Sequence, residues 1–234
     1  NGVLLACASR YIEDRSPANH DIAAYGNAVV SGFNPFNEGY WSNYFDGSGD
    51  YFQVNSFSHT LSGQWSWECW ANKLDTGVDV ICSDNSLDNF QVALTSPNIN
   101  FQYGGSQRFD VSTGFNQNVW YHICITRDGS NNIRCFINGV LKAYVTGMNS
   151  NPVLGILNIG RQDNGGSTSH PTYAYLSNLR FVIGSIPTDY QTSETSTGTS
   201  IFTSPTDILT TSSQGTTASD VKLLTCQSSR FLDN

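Results

Sequence analysis

Short runs of β-branched and aromatic residues, separated by Gly, Asn and Asp, fill the middle of this chain of 234 residues. Such runs are typical of β-strands, and no stretch keeps a helical period for more than about two turns. The predicted strands are Tyr51–Val54, Gln64–Asn72, Asn89–Leu94, Val119–Arg127, Ile133–Ile137, Val140–Val145, Ile156–Ile159 and Ala174–Ile183. Eight such strands predict an all-β fold, a two-sheet antiparallel sandwich built around one principal core.

Alternation along the second predicted strand separates its two faces. Residues on one face should point into the core, and they are Trp65, Trp67, Cys69 and Ala71. The opposite face carries Ser66, Glu68 and Asn72. Trp70 breaks the alternation, and we expect it to pack against a loop, with an exposed aromatic as the alternative.

The pair Asn138-Gly139 lies between two apolar runs and predicts a type I′ hairpin over Ile133–Val145, because both central residues of that turn need positive φ. A tight turn over residues 128–131 would place Cys124 opposite Cys135 on adjacent strands. Two buried thiols are the favoured interpretation of that pair, and a disulfide is the alternative.

The two ends of the chain differ from its middle. Residues 188–220 are rich in Ser and Thr, so this segment either lies extended over the sandwich or forms a linker. The segment Leu4–Asp14 recurs at residues 223–233 with one inserted residue. This repeat suggests a tandem array or a junction used twice, and a pseudo-repeat within one domain is the alternative.

Charge excludes two classes of partner. The formal net charge is −8, and the 11 Lys and Arg residues form no basic patch, so we expect no nucleic-acid binding. Binding to an anionic membrane surface is disfavoured for the same reason. No apolar run approaches the roughly 20 residues that span a bilayer, so we expect no membrane insertion.

Six short motifs, taken in order, resemble the laminin-G-like and pentraxin-like jelly rolls. They are YFDGSGDY at 44–51, WSWECW at 65–70, WYHICITR at 120–127, FING at 136–139, LNIG at 157–160 and LSNLR at 176–180. The resemblance covers about residues 43–184 and implies a concanavalin A-like sandwich there. It places connectors at 1–42 and 185–234, the first containing the end of a preceding module.

The flanks narrow the resemblance further. Residues 223–234, together with 4–14 leading into Gly32–Phe36, are similar to connectors in tail and other virion proteins of marine bacteriophages, notably cyanophages. Ala8 stands where those connectors have Gln, and one Ser is missing beside it. This similarity implies a virion protein assembled in the host cytoplasm, with other copies or virion proteins as partners.

Catalysis is not expected. Concanavalin-like glycoside hydrolases need two carboxylates across the scissile bond, typically in a Glu-x-Asp-x-x-Glu run, and no such run exists here. Glu68 is the only acid in a predicted strand before the Asn-Gly hairpin. The four histidines are dispersed, and no Ser or Cys has the sequence context of an activated nucleophile. Cys and His also show no spacing typical of zinc ligands. His122 is expected to be structural and hydrogen-bonded. A hydrolase is the distant alternative.

Two loops are rich in oxygen ligands, and laminin-G-like domains often hold calcium at one rim. The candidate metal ligands are Asp46, Asp50 and Asp163. The favoured interpretation is that Asp and Gly act there as turn formers, so no cofactor is expected and calcium is the alternative.

Sugar binding needs aromatic faces and planar polar side chains on a rigid rim, and the loop from residue 161 to 173 supplies both. The candidate ligand-binding residues are Arg161, Asp163, Asn164, His170 and Tyr173. Two hypotheses follow. The first is a module of a tail fibre or surface appendage that recognises a host-surface glycan or protein. The second is a structural or decorating virion unit that binds no ligand.

Overall fold

The computed structural model describes residues 12–36, 39–86, 89–164 and 167–227, and these contain twenty strands and three 3₁₀ turns. The strands of the first half are β1 Ile12–Glu13, β2 Asp21–Tyr25, β3 Val29–Ser31, β4 Ser42–Asp46, β5 Tyr51–Val54, β6 His59–Thr60, β7 Trp65–Lys73, β8 Val78–Asp84, β9 Phe90–Thr95, β10 Asn98–Tyr103 and β11 Gln107–Ser112. The later strands are β12 Trp120–Arg127, β13 Ile133–Ile137, β14 Val140–Val145, β15 Val153–Leu154, β16 Leu157–Ile159, β17 Gln162–Asn164, β18 Ser167–Ser169, β19 Tyr173–Ile183 and β20 Val221–Thr225. The 3₁₀ turns span Thr188–Tyr190, Ser213–Gly215 and Ala218–Asp220.

Two large antiparallel sheets form the sandwich, as predicted from the sequence. The first sheet has the order β1-β2-β5-β16-β8-β9-β10-β11. The second has the order β14-β13-β12-β7-β19-β4-β3, and β20 also pairs with β19. All eight predicted strands are present. Strands such as β8 and β10 were not predicted, because Asp, Ser and Asn interrupt their apolar residues.

The core lies between the sheets, and the predicted inward face of β7 is confirmed. Trp65, Trp67, Cys69 and Ala71 all belong to the central apolar cluster. Full burial of a large apolar side chain stabilises the fold by about 1.5–3 kcal/mol. Trp70 packs against the loop before β4, with its ring centroid 5.7 Å from that of Phe36, so the expected loop contact is confirmed.

The Asn138-Gly139 turn is confirmed. Both residues have positive φ, 50° and 77°, and Ile137 pairs with Val140 across it. The geometry expected for Cys124 and Cys135 is wrong, because Ile125 pairs with Cys135. The loop after Arg127 therefore sets a register one residue away from the expected one, and the two thiols point to opposite faces. The five cysteines in the described ranges are free and buried.

The Ser/Thr-rich segment lies over the outer face of the second sheet. We name residues 186–220 the strap. Its Phe202 ring lies 5.2 Å from the Phe136 ring, and the Ile201 N–H donates to the Gly139 carbonyl at 2.9 Å. Leu209 packs with Val182 and Leu224 on the same face. For residues 188–220, extension over the sandwich is correct and a free linker is wrong.

No helix in the part of the chain that is described is long and apolar enough to cross a membrane.

Strands from both flanks enter the sheets. β2 pairs with β5, β3 with β4, and β20 with β19. The flanks also contact each other, since the Leu224 N–H donates to the Asp14 carboxylate at 3.0 Å. The domain boundaries after residues 42 and 184 stay a prediction. Most of the terminal repeat, including Cys7, lies outside the described residues.

Candidate functional site

Polar, uncharged side chains form a row across the outer face of the first sheet. Directly paired residues on neighbouring strands project from the same face, so the strand register defines the row. Its members, each paired with the next, are Gln53, Asn158, Ser83, Gln91, Gln102 and Gln107. At about 4.8 Å between strands, this polar row spans about 24 Å.

Several individual amide atoms in and near the row lack protein partners. Gln53 Nε2 donates to Asn158 Oδ1 at 3.0 Å, and Asn100 Nδ2 donates to Gln107 Oε1 at 2.7 Å. Asn158 Nδ2, Asn100 Oδ1 and Gln102 Oε1 are buried without any hydrogen bond. A buried polar group without a partner costs about 1–3 kcal/mol, so these atoms need water or a ligand.

Arg161 and Asp163 lie over the middle of the row, at the start of the β17–β18 hairpin. The two side chains form an ion pair, with Arg161 Nη2 3.1 Å from Asp163 Oδ2. Arg161 Nη2 also lies 3.4 Å from Asn158 Oδ1, and the Asp163 N–H donates to Ser83 Oγ at 3.3 Å. Backbone and side chains of the hairpin thus fix these charges above the row.

Tyr25 and Tyr51 stack at one end of the row, beside Gln53. They are cross-strand partners on β2 and β5, with ring centroids 4.3 Å apart and an angle of 6° between the planes. The guanidinium carbon of Arg161 lies 3.4 Å from the centroid of the Tyr51 ring. Tyr25 is 40% exposed, so this tyrosine stack presents an aromatic surface at the sheet edge.

The structure brings together only part of the predicted ligand set. Arg161 and Asp163 pair, as described above. His170 is exposed, with Nδ1 2.8 Å from Gln162 Oε1. Asn164 lies in β17 and pairs with Ser167, and its side chain is outside the description. Tyr173 belongs to β19 of the second sheet, where it pairs with Asp46.

The polar row and the tyrosine stack were not found from the sequence. The available signal was the polar side chain within each apolar strand, such as Gln53 between Phe52 and Val54. That alternation marks a solvent-facing position on each strand. It does not show that residues 53, 158 and 83 are neighbours, because β16 inserts between β5 and β8.

The predicted metal ligands act as hydrogen-bond acceptors in turns. Asp50 Oδ1 accepts from the Asn27 N–H at 2.6 Å, and Asp50 Oδ2 from the Asp46 N–H at 3.1 Å. Asp46 Oδ1 accepts from the Ser48 N–H at 2.7 Å. Within the described ranges, no three His, Cys, Asp or Glu side chains gather as a metal cluster. The expectation of no cofactor, with calcium at Asp46, Asp50 and Asp163 as the alternative, stays a prediction.

Glu68 is enclosed on the outer face of the second sheet. Its carboxylate lies 2.6 Å from Arg180 Nη2 and 3.0 Å from His122 Nε2, and it accepts from Tyr190 Oη at 2.7 Å. Burial raises the pKa of Glu68, but Arg180, His122 and Tyr190 outweigh burial and lower that pKa to about 2. Glu68 is thus ionised and inaccessible, and the expected structural role of His122 is confirmed.

Comparisons with known proteins agree with this architecture. Residues 46–183 match the laminin-G family described as the concanavalin A-like lectin/glucanases superfamily. No curated protein matches the chain in sequence.

Solved structures with a similar fold include receptor-binding domains of botulinum neurotoxins. The C/D mosaic serotype domain is 15% identical with a TM-score of 0.51, and the match covers 70% of this chain and 43% of that one. The serotype D ligand-binding domain, solved in complex with N-acetylneuraminic acid, is 15% identical with a TM-score of 0.53, covering 73% and 44%.

The chain spans less than half of these neighbours, and at such identity the likeness shows the fold alone. The family match rests on sequence, covers more than half of the chain and includes strands of both sheets, so it shows the family. The chain belongs to the concanavalin A-like lectin/glucanases superfamily, in its laminin-G branch.

Proposed function

We propose that this chain is a non-catalytic module that binds glycan at the polar row of the first sheet. The observation that carries the proposal is the set of buried amide atoms without partners along a row that ends at an exposed tyrosine stack. Sugars present apolar C–H faces and hydroxyl groups together, so they satisfy an aromatic ring and unpaired amides at once. Arg161 and Asp163 add charged hydrogen-bonding groups above the row.

The absence of catalysis is part of the proposal. Glycoside hydrolysis needs two carboxyl groups about 5–9.5 Å apart, flanking the scissile bond. Glu68 is fully buried and held by Arg180, and Asp163 is ion-paired with Arg161. Neither carboxylate is available as a general acid.

The fold neighbours support carbohydrate as the ligand class. One of them was solved with N-acetylneuraminic acid bound. This support is an analogy between folds, so the argument for this chain depends on its own residues.

We propose further that the module is part of a phage tail fibre or similar virion appendage, where it contributes to recognition of host-surface polysaccharide. The similarity of its flanks to cyanophage connectors and the terminal repeat support this setting. A structural or decorating module without a ligand is the second candidate, favoured by the same repeat.

Binding to an array of bacterial surface polysaccharides and sialylated glycans tests the binding function. We expect the wild-type chain to bind at least one glycan, and Tyr25→Ala to weaken that binding about tenfold. The double variant Arg161→Ala/Asp163→Ala should lose it. Tyr144→Ala is the control, since it removes a tyrosine ring from an edge strand of the other sheet, away from the polar row.

Two results would contradict the assignment. An array without any bound glycan would favour the structural module. Equal binding by the wild type and both site variants would exclude the polar row as the binding surface.

For the virion setting, antibodies against this chain should label the surface of intact phage particles. Unlabelled particles would exclude that setting.

A further inference from the structure

A cleft of about 530 Å³ lies on the opposite side of the molecule, over the second sheet. It is formed where the strap passes the loop before β4. Its apolar walls are Pro35, Phe36, Trp70 and Phe202. Its volume is within the range of about 300–1,000 Å³ that is usual for small-molecule sites.

Aromatic rings fix the shape of this cleft. Trp70 projects from β7, and Phe36 packs against it with an angle of 78° between the two rings. On the strap side, Phe202 is held by Tyr190, with ring centroids 4.4 Å apart, and by Phe136. The apolar surfaces are therefore preformed by packing on a rigid sheet.

Two polar atoms at the cleft are buried without partners. Trp70 is 9% exposed, and its indole Nε1–H makes no hydrogen bond. The hydroxyl of Ser204 on the strap is also unpaired. Buried groups of this kind are rare in native proteins, and an indole N–H can only be satisfied by an acceptor.

The remaining polar lining consists of uncharged groups. Ser200, Thr203, Thr206 and Asn138 line the cleft together with the rings. Among the residues that the structure describes, none that lines the cleft is ionisable.

We propose that this cleft is a second binding site, which takes a neutral pyranose unit and is independent of the polar row. A charged ligand would lose its hydration without gaining a counter-charge. A purely apolar ligand would leave Trp70 Nε1 and the strap hydroxyls unpaired. A neutral sugar ring offers a C–H face to the aromatic walls and hydroxyl oxygens to the indole and Ser204.

Neutral oligosaccharides are the probes for this proposal. Cellotetraose, xylotetraose, mannotetraose and galactotetraose are titrated into the whole chain, and binding is followed by ligand-observed NMR. We expect at least one of them to bind. Trp70→Phe keeps an aromatic wall and removes the N–H, and should weaken binding about fivefold, as expected for one lost hydrogen bond. Thr203→Arg fills the cleft from an exposed position and should abolish binding.

The controls separate this site from the polar row. Trp120→Phe, on the same sheet but outside the cleft, and Arg161→Ala/Asp163→Ala, on the other sheet, should both bind as the wild type does. The proposal is overturned if none of the four tetrasaccharides binds, or if Thr203→Arg binds normally. Loss only in the Arg161/Asp163 variant would also overturn it and assign the sugar to the polar row. Conversely, cleft binding without any glycan bound at the row would remove the first site and keep this one.

Discussion

Glu68 shows how a single buried charge is stabilised in this fold. Its three partners come from β12, β19 and the strap. Glu68→Gln leaves Arg180 buried without a counter-charge, so we expect a loss of about 3–5 kcal/mol in the free energy of unfolding, measured by urea denaturation at neutral pH. Glu194→Gln is the matched control, because the Glu194 side chain accepts from the backbone N–H groups of Thr195 and Ser196 in the strap, as an amide oxygen also does.

The same substitution should change the dependence of stability on pH. The pKa of Glu68 is about 2 in the folded chain, below the value of about 4.3 for an unfolded glutamate. The unfolded state thus binds more protons in this interval, and the stabilisation is complete above about pH 4.5 and lost as pH falls towards 2. Subtracting the Glu68→Gln curve from the wild-type curve should give a difference that shrinks over that interval. A constant difference would contradict this account.

Asp50 leads to an expectation about calcium. Both of its carboxylate oxygens accept backbone N–H groups, so burial of this carboxylate does not require a cation. We expect that no calcium is bound there, so EDTA should leave the melting temperature unchanged. Removal of a bound ion would lower the melting temperature. A decrease that added calcium reverses would instead support the calcium site.

Among the elements, the β13–β14 hairpin has a second role as a docking point for the strap. A Cβ at Gly139, which has φ of 77°, would lie 1.8 Å from the Phe202 carbonyl oxygen. Gly147 has a similar φ of 73° but no atom within 4 Å of the same position. We expect Gly139→Ala to destabilise the chain by well over 1 kcal/mol and Gly147→Ala to cost about 1 kcal/mol. Equal losses of thermal stability in the two variants would show that strap contact is unimportant.

Strands and turns were predictable to the extent that their signals are local. The type I′ turn was predictable because it needs positive φ at two adjacent residues, and Asn138 and Gly139 both adopt it. The relation of Cys124 to Cys135 was wrong because register depends on loop length, and one residue reverses the face. The polar row could not be predicted, since it requires pairing between strands more than 70 residues apart. For the strap, composition excluded a core of its own but could not identify the face it covers.

At the scale of the molecule, both flanks complete the sandwich. Ile22 of β2 pairs with Val54, and Leu223 of β20 pairs with Phe181, so core residues of the central strands are covered by flanking ones. Since these contacts cross the predicted boundaries, unfolding of the whole chain should be one cooperative event. Far-ultraviolet circular dichroism and tryptophan fluorescence should report the same midpoint in urea.

A fragment of residues 43–184 tests this directly. It lacks β1, β2, β3, β20 and the strap, so it leaves the edges of β4, β5 and β19 unpaired. It also loses Tyr190, which covers Glu68 in the whole chain. Unpaired edges and uncovered apolar surface favour aggregation over folding. We therefore expect the fragment to be unfolded or aggregated under conditions where the whole chain is native. A soluble fragment with a cooperative transition near that of the whole chain would show instead that residues 43–184 fold alone and that the flanks are connectors.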